Sequence, residues 1–227
     1  MIELREYLFS IQDIKYKIFT QKLVPDTSYE IIGIKVPTLK KIAKIISQNK
    51  PFCLTYLEQK HKYFEEVFIH GLVLADHCKN ITIAKNLLNN FLPLIDNWSI
   101  CDCTVSALKC FNKEKNLGYE FAINLLNSSS PYTIRFGIVL LKSYFLGENF
   151  RQDSINKLLE IKTDNYYIKM AIAWFLCEAL IKNYQQTINV IINKQFDKFT
   201  HNKAIQKCLE SFRISSEIKT YLKTLKI

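Results

Sequence analysis

Glycine and proline are scarce in this chain: each occurs only five times in 227 residues. Strands joined by tight turns consume both, so an all-β fold is excluded. No Cys-x-x-Cys pair occurs among the seven cysteines, at positions 53, 78, 101, 103, 110, 177 and 208. The count is odd, and Cys101 and Cys103 sit two apart in a helical pattern, where side chains diverge, so a zinc site is not expected. Scattered thiols of this kind behave as small hydrophobes and point to a reducing compartment, the cytoplasm. No run of about 18 uninterrupted apolar residues occurs, so no membrane span is expected. The start, MIELREYLF, lacks a signal-peptide pattern. A Gly-rich phosphate loop and a nucleophile elbow are also missing.

What is present is bulk, charge and helical periodicity. Nearly half the residues are hydrophobic, with 15 Phe and 12 Tyr. That suffices for a large core without disulfide, metal or cofactor. Basic residues outnumber acidic ones 31 to 21, a net charge of +10. Such a surplus suits a polyanion, through counterion release from phosphates. Only four of the basic residues are arginine: Arg5, Arg135, Arg151 and Arg213.

Apolar residues recur at helical spacing almost throughout. The pattern predicts helices near 2–9, 12–23, 37–47, 53–59, 63–76, 80–91, 97–111, 116–126, 131–145, 150–161, 165–181, 184–193, 200–211 and 215–224. The breakers between later helices are short, which makes neighbours antiparallel. One internal repeat is visible. Ile134-Arg135-Phe136-Gly137 and the apolar run behind it align with Ile168-Lys169-Met170-Ala171 and its run, 34 residues on. Helix pairs at that period imply an α-α superhelix, a HEAT-like solenoid with one concave surface. Nothing resembles a linker, so residues 1–227 are expected to form a single all-α domain.

Four residues interrupt the local pattern. In Asp96-Asn97-Trp98-Ser99-Ile100-Cys101-Asp102, Asp96 or Asn97 can cap a helix, and Trp98 and Asp102 then share a face. Arg135 lies inside an apolar helix, and Trp174 is the other tryptophan of the chain. A lone Trp on an amphipathic helix usually belongs to the core, and a lone Asp is usually solvated. Successive repeats of a solenoid line one groove, however, and these residues recur on successive helical pairs.

At these residues the chain resembles the bacterial DNA alkylation repair family, the AlkD-like HEAT-repeat DNA glycosylases. The likeness runs over roughly residues 30–215. It is carried by GIKVPTLKKIAK, IDNWSICD, TIRFGIVLLKSYF, YYIKMAIAWFL and FTHNKAIQKCLESFR. The resemblance implies excision of cationic N3- and N7-alkylated purines from duplex DNA by a monomer. It assigns Trp98, Asp102, Arg135 and Trp174 to the groove that faces DNA. Alkylation leaves the purine cationic and a good leaving group, so the demand falls on stabilising the sugar as positive charge develops. Asp102 can supply that negative charge, Trp98 and Trp174 offer π faces to a cation, and Arg135 can grip a phosphate. Lys169, at the repeat position of Arg135, is a further candidate for the DNA backbone. So are Lys203 and Lys207 in the basic stretch KFTHNKAIQK, although a solvated basic face explains that stretch as well. The alternative is a non-catalytic HEAT-like scaffold for DNA or protein, which the short segment before Pro37 favours. His61, His70 and His77 form no clear triad, and Glu65 and Glu66 are expected to be a solvated helix surface.

Overall fold

The structure is a computed structural model and describes residues 2–227. The fold is all-α: the described residues form fourteen α-helices and no strand, with one isolated bridge between Glu30 and Tyr63. They divide into two compact units, ending and beginning at Glu114 and Lys115.

The first unit holds α1 (Ile2–Ser10), α2 (Ile14–Leu23), α3 (Val36–Gln48), α4 (Lys50–Leu57), α5 (Phe64–His77), α6 (Ile81–Phe91) and α7 (Trp98–Ala107). A 3-10 turn, Lys109–Asn112, follows α7. The second holds α8 (Lys115–Leu125), α9 (Pro131–Tyr144), α10 (Asp153–Glu160), α11 (Tyr166–Lys182), α12 (Tyr184–Ile192), α13 (Lys198–Glu210) and α14 (Ser216–Thr224). Each expected helix is found within a few residues. The largest shortfall is α7, which stops at Ala107 where the pattern runs to 111.

Caps set many of the starts. Asp13, Asn49, Asn80, Asn97, Asn165, Asp197 and Ser215 each accept a backbone N–H from the first turn that follows. Proline stands at the first turn of α3 and α9, where its missing donor costs nothing.

Alternate helices form a packed row in each unit. In the first, α3 packs on α5 and α5 on α7; in the second, α9 packs on α11 and α11 on α13. The 34-residue repeat is the step of this row, because α9 and α11 are its two copies. Two helical glycines allow close approaches between helices. A Cβ on Gly71 of α5 would run into the Thr104 hydroxyl of α7 and lie 2.8 Å from the Phe91 ring. One on Gly137 of α9 would lie 2.7 Å from the Ala122 carbonyl oxygen of α8.

Glu65 and Glu66 are buried, 1% and 0% exposed, which corrects the expected solvated surface. The Glu65 carboxylate accepts the backbone N–H groups of Ile32, Gly33 and Ile34 at 2.9, 2.7 and 3.3 Å. Glu66 accepts from Arg5 Nε at 2.6 Å and from the amides of Lys62 and Tyr63 at 2.8 and 3.2 Å. Helix α5 is therefore buried nearly all round; Glu65 holds residues 32–34 by their backbone, and Glu66 holds α1 through the Arg5 side chain. Periodicity places both on a helix but cannot show that loops supply their donors.

Candidate functional site

Four of the row helices carry every residue singled out from the sequence: Trp98 and Asp102 on α7, Arg135 on α9, Lys169 and Trp174 on α11, Lys203 and Lys207 on α13. The first two belong to the first unit and the rest to the second.

In the first unit the site begins where the chain leaves a 3-10 turn, Leu92–Leu94, and enters α7. Asn97 is the cap, accepting the Ile100 N–H at 3.0 Å. That leaves Asp96 for another task. Its carboxylate accepts the Ser28 amide at 2.6 Å and the hydroxyls of Ser28 and Thr27 at 2.8 and 2.9 Å. Trp98, the first helical residue, is half-buried and donates its indole N–H to the Leu23 carbonyl at 2.9 Å. Leu23 ends α2, where the last carbonyls have no partner inside their own helix. Together with Glu65, these side chains fasten the segment between α2 and α3 at residues 23, 27–28 and 32–34.

Asp102 lies one turn beyond Trp98 on the same face and is also half-buried. Between them Ile100 and Cys101 point inward and are buried. Beside Asp102, the Cys103 thiol is pushed up first by burial and then by the Asp102 charge, against the opposing pull of Lys40. Lys40 of α3 thus bears electrostatically on the same corner. Its motif, PTLKKIAK, is visible in the sequence, but only the packing of α3 on α5 and α5 on α7 brings it there.

In the second unit, Arg135 is 5% exposed and donates from Nη1 to the Tyr167 carbonyl at 2.8 Å, in the first turn of α11. One arm of its fork is therefore committed to the next helix of the row. Lys169 repeats the gesture. Its ammonium lies 3.4 Å from Asp197, the cap of α13, and 3.1 Å from Asp164. Positions 135 and 169 thus each tie one row helix to the start of its successor. Lys203, another 34 residues on, instead bonds Gln206 of its own helix at 3.0 Å and lies 5.8 Å from the Phe199 ring centre. Lys207 is half-buried one turn further along α13.

Trp174 is half-buried, and the Lys142 ammonium sits 3.2 Å from its ring centre. One turn on, Glu178 receives the guanidinium of Arg213 through both terminal nitrogens. Burial opposes ionisation of Glu178, but the Arg213 hydrogen bond and charge outweigh it and hold the carboxyl below its usual range. The Trp174–Glu178 spacing equals that of Trp98–Asp102, a signal already present in the sequence. Lys142 and Arg213 are lost to sequence inspection because their partners lie on other segments.

A family model described as DNA alkylation repair enzyme matches residues 9–208. A search of curated proteins and a search of solved structures return no match.

Proposed function

The chain belongs to the DNA alkylation repair enzyme family, and from that premise we propose that it is a monofunctional DNA glycosylase releasing cationic N3- and N7-alkylated purines from duplex DNA. Its role is therefore in DNA alkylation repair, with DNA as partner. Among the described residues no helix is long and apolar enough to cross a membrane.

One observation carries the finer reading. Trp98 and Asp102 stand one turn apart on α7, both half-buried, while the residues between them that face inward are buried. An aromatic face and a carboxylate are thus offered side by side, on a helix whose entry is fixed by Asn97 and Asp96. A cationic purine leaves readily, so the rate depends on stabilising the sugar cation that forms as the bond breaks. Asp102 supplies that charge and orients the attacking water, and Trp98 provides a π surface for the cation; in the second unit Trp174 offers a further aromatic face to DNA. The basic residues Lys169, Lys203 and Lys207 supply phosphate contacts, and the buried Arg135 positions the start of α11 through the Tyr167 carbonyl, which fix register without reading sequence.

A non-catalytic DNA-binding scaffold is the second reading. It is favoured by the Lys142 ammonium, which already occupies a face of Trp174. Release of free base from methylated duplex by the purified protein decides between them. Asp102→Asn should lower that release by about a hundred- to a thousand-fold while plain-duplex affinity and melting temperature stay near wild type. Undiminished excision would remove Asp102 from the chemistry, and no excision by the wild-type protein would leave the scaffold.

A further inference from the structure

The seven cysteines are free thiols, and four of them form two matched pairs. In the first unit Cys78, at the end of α5, and Cys110, in the 3-10 turn after α7, line one cavity. In the second, Cys177 of α11 faces Cys208 of α13. Each pair joins the region of one row helix to that of the next, and in each the two thiols lie close enough to perturb one another's ionisation. Their surroundings differ. Cys177 and Cys208, 4% and 0% exposed, lie in an apolar cluster with Leu180, Ile188, Ile191 and Ile205. Cys78 and Cys110 are 5% and 3% exposed and line a cavity of about 350 Å³. Lys79, Lys109 and Lys113 share that lining, against the single carboxylate of Asp76.

We propose that Cys78 and Cys110 form an oxidisable dithiol site, which a small peroxide entering the lysine-lined cavity converts to a disulfide, while Cys177 and Cys208 stay reduced in the folded protein. The reactive species is a thiolate, and attack requires access, a positive surrounding and a resolving thiol in reach. The first pair has all of these; the second has a resolving thiol but lies in an apolar cluster. Within the first pair Cys110 is the nucleophile: Lys109 and Lys113 stand close to it in sequence and share the cavity lining, and the hydrogen bond from Cys78 lowers its thiol. Cys78, whose proton is held in that contact and by burial, is pushed up and resolves.

The steps balance. The Cys110 sulfur attacks one peroxide oxygen, the O–O bond breaks, and the departing hydroxide takes up a proton as water. Cys78 then attacks the sulfenic sulfur, the S–O bond breaks, and a second water leaves as the S–S bond forms. Two thiols are oxidised by two electrons and one hydrogen peroxide is reduced to two waters. The bond would tie the segment behind α7, which carries Trp98 and Asp102, to the end of α5.

The test uses the folded full-length protein treated with hydrogen peroxide. Remaining thiols are then blocked with an alkylating reagent, and the chain is digested and mapped without reduction. The expected product is a Cys78–Cys110 peptide pair lacking two hydrogens and restored by dithiothreitol, with Cys177 and Cys208 recovered as thiols. Cys78→Ser should stop Cys110 at the sulfenic acid, trapped by dimedone; Cys78→Ala serves if the serine variant melts early. Oxidation of both pairs at equal rates would overturn the proposal, as would Cys110 running to sulfinic acid in the wild-type protein. So would an unoxidised first pair at peroxide levels that already modify other thiols of the folded chain.

Discussion

Replacing Glu65 with Ala removes one acceptor that serves three successive backbone amides. Ile32, Gly33 and Ile34 are buried, and their N–H groups converge on the carboxylate at 2.7 to 3.3 Å. They converge because Gly33 has φ +102°, a left-handed conformation in which an added Cβ would lie 2.6 Å from the Asp13 carbonyl oxygen. An orphaned buried donor costs about 1–3 kcal/mol, so three together reach about 3–9 kcal/mol. Water entering the space left by the side chain recovers part of this, which sets the expectation near the lower end, about 3–5 kcal/mol. For a chain of this length, that corresponds to a fall in melting temperature of roughly 6–20 °C. Glu65→Gln keeps one oxygen but turns an NH₂ toward the amides, and should lose about half as much. Denaturant and thermal unfolding read both. The consequence extends to the candidate site, because the same segment is held by Asp96 at residues 27–28 and by Trp98 at Leu23. Base release and duplex affinity of Glu65→Ala should therefore fall at temperatures well below its melting point. An alanine variant within about 1 kcal/mol of wild type would refute the reasoning, since the three amides would then have other partners.

Gly71→Ala should destabilise by about 1–3 kcal/mol through overpacking against Thr104 and Phe91, and adding Thr104→Ala should recover part of the loss in denaturant melts. The half-buried His61 and the buried His70 share one hydrogen bond of 2.7 Å, in which one ring donates and the other accepts, so it favours neutral rings. Burial, reinforced by the charge of His61, pushes His70 down from the ordinary 6.5 to about 3, and burial pushes His61 to about 4. The unfolded chain therefore takes up protons first: this contribution is complete above pH 6.5 and is lost as pH falls toward 4, by on the order of 3 kcal/mol for His70. His70→Phe, which keeps a ring stacked on Phe91, should flatten that slope in urea titrations run from pH 7 to pH 4. Affinity for plain duplex, followed by fluorescence anisotropy, should drop steeply as salt rises, since the net +10 charge acts through counterion release. Binding indifferent to salt would point instead to a protein partner.

Composition and spacing were enough for the class of fold. Few Gly and Pro, helical periodicity and side-chain caps such as Asn97 and Asp197 act over a few neighbouring residues, so helix positions could be read from the chain directly. The 34-residue copy likewise located two successive members of the row, α9 and α11. The Trp98–Asp102 pairing needed only the pitch of a helix. What partners each side chain has was decided by contacts between segments far apart in sequence, to which a local pattern is blind. Glu65 and Glu66 read as a solvated face because the amides and the arginine that neutralise them come from residues 5 and 32–34. Arg135 reads as an arm toward phosphate, yet the neighbouring row helix presents a carbonyl to it; Lys142 on Trp174 and Arg213 on Glu178 are further meetings of this kind. The two thiol pairs are nearly equal in sequence spacing, 32 and 31 residues, and only the packing around them left one beside a lysine-lined cavity and the other in an apolar cluster.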